Sequence, residues 1–206
     1  MKPELNMTQL YKHLRSRGLE KTRMSDYHVL NLEKYAYFFL YNLSGQLTGY
    51  QRYYPNGEKG FRASKKNDKT WKAKYYTYKT KDSLIYYGAF SYYVGAPLFI
   101  VEGIFDAIKI INHGESCFAL LTSSPSKQMA GFLNTLPNKK YIIDDNAGAA
   151  KKTFRHIDAE RLLPPGKYGD IGEMPQAEVD VFLQDRSFFP NWSICDPNFK
   201  NLDKHL

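Results

Sequence analysis

Pro97-Leu98-Phe99-Ile100-Val101-Glu102-Gly103-Ile104-Phe105-Asp106-Ala107 is the stretch whose reading decides the fold. The apolar run Leu98–Val101 has the length and character of a buried strand, and Ile104–Ile111 has the pattern of the helix that follows it. Glu102-Gly103 is then the strand-to-helix turn, and a carboxylate stands at the carboxyl end of a strand. Open α/β sheets place their ligand sites at that edge. A second apolar run, Tyr141-Ile142-Ile143, ends in Asp144-Asp145-Asn146-Ala147-Gly148. A Glu-Gly after a strand is ordinarily a turn, and an Asp-Asp-Asn cluster is ordinarily a helix cap. Together, each ending a buried strand, they point to a site for a hard divalent cation, Mg²⁺ first and Mn²⁺ second.

Composition sets the frame. A chain of 206 residues with 43% apolar content has room for one large domain or two small ones around a real core. No apolar run approaches the ~20 residues of a membrane span, and the first residues lack the apolar centre of a signal peptide. Cys117 and Cys195 are too few for a disulfide framework or a four-cysteine zinc ribbon, and His13, His28, His113, His156 and His205 show no paired ligand spacing. The expectation is a reduced, cytoplasmic protein with no zinc and no membrane contact.

Charge divides the chain. Residues 1–95 carry 17 Lys and Arg against 7 Asp and Glu, whereas residues 96–206 carry 12 against 14. Tyrosine divides the same way, 15 against 2. These shifts predict a basic, tyrosine-rich α+β domain over 1–95, an α/β domain over 96–185 and a tail over 186–206. In the basic half, Leu5–Leu19 has helical spacing with Gly18 as its stop. Tyr35–Tyr41 and Gln46–Tyr54 read as a hairpin about Asn42-Leu43-Ser44-Gly45, and Lys72–Thr80 as a further strand. Between Arg52 and Lys81 lie ten Lys and Arg and two acids, interleaved with Tyr53, Tyr54, Phe61, Trp71, Tyr75, Tyr76 and Tyr78. Cations that attract phosphates beside rings that stack on bases are what single-stranded nucleic acid binding requires. The same composition also builds a plain sheet, with tyrosines inside and lysines in water.

In the second half, Cys117–Leu121 reads as a strand and Ser124-Pro125 as the start of a helix through Leu133, with Ser124 as its cap. Ala147–Leu163 has a helical pattern ended by Pro164-Pro165-Gly166. Lys151 and Lys152 in its first turns oppose the helix dipole, which points to an anion or an acid cluster nearby. Ala177–Leu183 fits strand or helix.

These residues resemble a known family. Glu102-Gly103-Ile104-Phe105-Asp106-Ala107 is similar to the first motif of the TOPRIM domain, the Mg²⁺-binding fold shared by bacterial and phage primases, topoisomerases and some nucleases. Asp144-Asp145-Asn146-Ala147-Gly148 resembles its second motif, Asp-x-Asp-x-Ala-Gly, with one residue fewer. Asp144 and Asn146 keep the acid spacing; aligned on Ala147-Gly148 instead, Asp145 becomes the second acid and Ile143 takes the first place. Asp170-Ile171-Gly172-Glu173-Met174 resembles the later acidic motif of primases, with Gly172 where Asn is usual. Further upstream, Leu43–Arg52 looks like the primase hairpin that ends in Gly-Phe-x-x-Arg. Lys74-Tyr75, and later Tyr86-Tyr87-Gly88, look like the Lys-Tyr segment after it.

The resemblance implies an α/β TOPRIM domain, a mostly parallel sheet flanked by helices, preceded by a small basic α+β domain. It implies metal-assisted nucleotidyl transfer that makes short primers on single-stranded DNA from nucleoside triphosphates, in a phage or mobile element. Glu102, Asp144 and Asp145 would be catalytic, and Glu102, Asp144, Asp145 and Asp170 would hold metal. Arg52, Arg62, Lys72, Lys74, Tyr75, Lys151 and Lys152 would meet nucleic acid or nucleotide. Asp106 would support the turn rather than bind metal. A separate helicase or other replication protein is the expected partner. The alternatives are a TOPRIM nuclease and a degenerate, non-catalytic DNA-binding accessory protein.

Overall fold

The structure, a computed structural model, describes residues 7–19, 24–60, 72–145, 154 and 156–184. Helix α1 (Met7–Ser16) buries Leu10 and Leu14 one turn apart, and Gly18, at φ +95°, ends it in a left-handed turn. An antiparallel sheet follows in the order β1 (Val29–Leu32), β2 (Tyr35–Tyr41), β3 (Leu47–Tyr53), β4 (Tyr75–Lys79). The β2–β3 turn is set by Asn42, whose Oδ1 accepts the amides of Ser44 and Gln46 at 3.0 and 2.9 Å. Gly49 is dictated by packing, because a Cβ there would lie 2.2 Å from the Tyr78 carbonyl oxygen on β4.

The second sheet is wholly parallel, in the order β6 (Ser116–Ala119), β5 (Leu98–Val101), β7 (Lys140–Ile143), β8 (Glu160–Leu162). Helix α2 (Ile104–Asn112) connects β5 to β6, and α3 (Lys127–Thr135) connects β6 to β7. Side chains alternate through this sheet as the two-residue period requires. Phe99, Val101, Cys117, Ala119, Tyr141 and Ile143 enter one core with α2 and α4 (Gln176–Leu183). Leu98, Ile100, Phe118, Leu120 and Ile142 enter another with α3, Tyr86, Phe154 and Ile157.

The first of these cores extends into the basic half. Leu10, Leu14, Phe38 and Tyr53 share it, and Phe105 of α2 meets Phe38 and Tyr53 edge-on at 5.8 and 5.0 Å. Tyr87 pairs with Ala119 at the end of β6, and its hydroxyl donates to the Tyr27 carbonyl at 2.8 Å. The change in charge and tyrosine content near residues 93–97 therefore does not coincide with a gap in the packing.

Two expectations are corrected. The helical pattern over Ala147–Leu163 gives way to strand β8 at Glu160–Leu162, with residues 146–153 and 155 outside the described set. Pairing with the open edge of β7 satisfies the β8 backbone, and only Leu162 of the strand is buried, so no strand alternation shows in its sequence. Helix α3 starts two residues later than expected, capped by Ser126, whose Oγ accepts the Met129 amide at 3.1 Å. The ambiguous segment Ala177–Leu183 is helical, and Cys117 is buried, as its apolar surroundings suggested. Among the described residues, no helix is long and apolar enough to cross a membrane.

Candidate active site

The strand-to-helix turn after β5 is built around Asp106. Its Oδ2 accepts the Gly103 amide at 3.0 Å, which caps α2. Its Oδ1 accepts the Gly172 amide at 3.0 Å, which joins the first acidic segment to the third, 66 residues away. Both oxygens therefore hold backbone, the supporting role expected for Asp106. Gly172 is needed there, because a Cβ at that position would lie 2.5 Å from Asp106 Oδ1.

Around this support the acids gather. Asp170 caps a short 3₁₀ turn, Ile171–Glu173, by accepting the Glu173 amide at 2.9 Å. Burial pushes the Asp170 carboxyl above its ordinary value, and the Glu173 charge adds to this. Burial likewise raises Asp145, followed by the charges of Asp170 and Asp144. Glu102 is raised by burial and then by Asp145. The exposed Lys59 offsets part of the rise in both Glu102 and Asp145. Carboxylates that raise one another in this way form one electrostatic cluster.

The cluster brings together Glu102, Asp145 and Asp170, which lie far apart in sequence. Asp144 acts on this group only through its charge on Asp145. Alternation along β7 turns Asp144 to the Ile142 face, where its Oδ2 accepts from Arg161 of β8 at 2.5 Å. Its Oδ1 is buried with no partner among the described residues. Asp145, two residues past the buried Ile143, lies within electrostatic reach of Glu102 and Asp170. Asn146, Ala147 and Gly148 themselves lie outside the described residues, as do Arg62, Lys151 and Lys152.

The remaining candidates divide between the two faces of the antiparallel sheet. Tyr75 lies on the face turned to the acids: it tilts against Tyr53 at 5.1 Å, and its hydroxyl is raised by burial, with smaller contributions from Asp106 and Asp170. Lys74 lies by α1, where its charge helps hold down the His13 imidazole after burial and Arg17. The Lys72 carbonyl accepts the Glu58 amide at 2.8 Å, beside Lys74. Arg52 points the other way. It lies between the rings of Tyr35 and Tyr76, 4.7 and 5.3 Å from their centroids. That outer face is aromatic throughout: Tyr50 stacks on Tyr78 at 5.4 Å and meets Tyr37 at 5.6 Å. Leu30, Leu32 and Tyr78 on it are all more than two-fifths exposed.

Sequence reasoning missed two cations at the acid cluster. Arg17 reaches it from the end of α1. Its guanidinium lies over the Phe105 ring at 4.6 Å, and a Cβ at Gly172 would be 3.2 Å from its Nη2. Nothing in the local sequence distinguishes Arg17 from Arg15, and Lys59 is hidden in a lysine-rich stretch. Among the described residues, no three His, Cys, Asp or Glu side chains are disposed to hold a metal ion on their own.

The buried Asp106 gives a first expectation. Burial, then Asp170 and Asp145, push its carboxyl up to about 8, against about 4 in an unfolded chain. Between these values the folded state binds the proton more tightly. Its contribution to stability is complete below about pH 4 and is lost as pH rises toward the folded value. Denaturation midpoints should therefore fall from pH 5 to pH 8, and Asp106→Asn should flatten that slope. An unchanged slope in the variant would contradict this account of Asp106.

The fold is similar to that of solved catalytic domains of bacterial and phage DNA primases. Solved structures align with this chain over most of its length. The zinc-binding and RNA polymerase domains of Aquifex aeolicus primase superpose with a TM-score of 0.62 at 14% identity, over 84% of this chain and 55% of that one. The E. coli primase catalytic core gives 0.61 at 12% identity, over 88% and 70%. The primase fragment of the bacteriophage T7 primase-helicase gives 0.61 at 13% identity, over 90% and 80%. The chain thus spans little more than half of that two-domain Aquifex chain. No protein-family model matches the chain, and no curated protein sequence matches it.

Proposed function

We propose that this chain is a primase-like nucleotidyltransferase that extends short primers on single-stranded DNA. The observation that carries the proposal is the meeting of Glu102, Asp145 and Asp170 at the carboxyl edge of the parallel sheet, in a fold similar to primase cores. The donor set is hard oxygen, its members oppose one another's ionisation, and Glu102 and Asp145 have oxygens that no described group occupies. That set fits Mg²⁺, which binds through one or two carboxylates with phosphates and water in its other places. A bound Mg²⁺ would supply charge stabilisation for the attacking and leaving oxygens.

The chain's own residues have separate tasks. Glu102, its carboxyl raised by burial and by Asp145, is a stronger base than an ordinary carboxylate and is suited to accept the proton of an attacking 3′-hydroxyl. Asp145 and Asp170 present oxygens to the ion, and Asp106 fixes the turns that hold Glu102 and Asp170. Lys59 and Arg17 bring positive charge to the triphosphate. Asp144 is a structural partner of Arg161.

The templating base would lie on the Tyr75 face of the antiparallel sheet, beside the acids, and the single strand beyond it would wrap onto the outer tyrosine face about Tyr50, Tyr76 and Tyr78. A DnaG primase catalytic domain with a TM-score of 0.57 to this chain has been solved bound to single-stranded DNA. Stacking is worth ~1–3 kcal/mol per base, so Tyr78→Ala should weaken binding of a labelled oligonucleotide by roughly five- to 150-fold. With about four phosphate contacts, affinity should fall roughly fifty-fold between about 50 and 200 mM salt. Salt-insensitive binding, or binding indifferent to Tyr78, would remove this face from the account.

One observation favours a second reading. With Asp144 held by Arg161, the second motif gives the ion site one acid rather than two, which suits a non-catalytic DNA-binding replication factor. Such a protein would bind DNA and make no product. A nuclease would instead shorten the DNA strand under the same conditions.

A further inference from the structure

Strand β7 ends in two adjacent acids that go to different places. Asp145 lies within electrostatic reach of Glu102 and Asp170. Asp144 is bound through Oδ2 to Nη1 of Arg161 at 2.5 Å. The sheet sets the height of this contact: Ile142 and Ile143 of β7 stand beside Arg161 and Leu162 of β8. The Asp144 amide donates to the Leu162 carbonyl at 3.1 Å, which carries the ladder one residue past β7. Asp144 is 5% exposed, and its Oδ1 is buried with no partner among the described residues. Among those residues, Arg161 is the only group that donates to the Asp144 carboxylate.

A buried carboxylate is costly unless it is paired and hydrogen-bonded. Asp144 therefore keeps its place while Arg161 holds it. Neighbouring residues of an extended chain point to opposite faces, and a slip of one residue exchanges those faces. Two acids in a row leave β7 open to that slip. With Asp144 in place of Asp145, a carboxylate would still reach the cluster, but from a backbone position about 3.3 Å away along the strand.

We infer that Arg161 is a positioning residue: by holding Asp144 away from the acid cluster, it selects Asp145 as the acid that faces Glu102 and Asp170. The inference rests on the primase-like reading. Arg161 is not among the charges that bear on Glu102, Asp145 or Asp170. Its effect passes through Asp144 and the backbone of β7.

The test compares Arg161→Met and the double variant Asp144→Leu with Arg161→Met, both below their melting temperatures. Arg161→Met is expected to lower kcat for nucleotide incorporation by roughly 10²-fold, the usual cost of a misplacement of about 1 Å, with little change in DNA affinity. The double variant has no competing acid and is expected to recover most of that loss. Hydrogen exchange at the Asp144 amide, followed by NMR in the ion-free chain, gives a second reading. It is expected to speed up by at least about ten-fold in Arg161→Met as the local structure opens. Should Arg161→Met not fold, Arg161→Gln is read in its place. A lower melting temperature with unchanged kcat would make the pair structural only and overturn the inference. So would a double variant no better than the single one, or an Asp144 amide that stays protected. A wild-type chain that makes no product overturns the primase-like reading, and the exchange measurement then decides by itself whether Arg161 holds Asp144.

Discussion

Glu102→Gln is expected to reduce nucleotide incorporation by about 10²–10⁴-fold, the usual contribution of a positioned acid or base, while leaving thermal stability close to wild type. Glu102 is half-buried at the end of β5, and its side chain accepts no hydrogen bond from the described residues. The strand-to-helix turn is instead held by Asp106, through Gly103 and Gly172. Glutamine keeps the size of the side chain and removes both its charge and its basicity. It also removes a half-buried carboxylate whose ionisation Asp145 opposes, so loss of fold is not expected. Radiolabel incorporation on single-stranded DNA, measured beside a melting curve, separates the two effects. Full activity in the variant would remove Glu102 from the chemistry. Loss of fold would make it a structural residue.

Phe105→Ala is expected to cost about 3–5 kcal/mol, the range for deleting a buried phenylalanine. Phe105 is 3% exposed on α2 and is the ring through which the two sheets meet: Phe38 and Tyr53 approach from the antiparallel sheet and Arg17 lies over its face. Removing it opens a cavity between the halves and leaves the Arg17 guanidinium without its aromatic support. Urea denaturation should show a lower midpoint and a single transition, because one core serves both sheets. Two separated transitions would mean that the basic and acidic halves are independent units despite the shared packing.

The parts of the fold legible in the sequence are those in which one physical signal dominates. Leu98–Val101 reads as a strand because all its side chains are buried, on alternating faces, and Glu102-Gly103 ends it abruptly. The β2–β3 hairpin reads from Asn42 and Gly45, whose side-chain acceptor and positive φ are turn chemistry. Strand β8 did not read, because an edge strand with one buried residue has no periodicity to show. Strand β1 was missed for a related reason: Leu30 and Leu32 alternate correctly but face outward.

The candidate site was legible in its acids but not in their arrangement. Glu102, Asp145 and Asp170 were named from strand ends and motif order. Asp144 and Asp145 could not be told apart, because either neighbour at a strand end can face either side until the register is known. Pairing with β8 fixes that register and turns Asp144 toward Arg161. The cations were illegible because they arrive by tertiary packing, Arg17 from the first helix and Lys59 from the turn after β3. Arg52 was assigned to nucleic acid or nucleotide, and its place between Tyr35 and Tyr76 puts it on the outer sheet face, away from the acids.

The most direct test of the central claim is primer synthesis on single-stranded DNA with labelled nucleoside triphosphates and Mg²⁺ or Mn²⁺, wild type beside Asp145→Asn. The account predicts short labelled products from the wild type and their loss in the variant, with DNA binding and melting temperature retained. Wild-type chain that binds DNA and makes no product with either ion, or a variant that synthesises as well as the wild type, would contradict it.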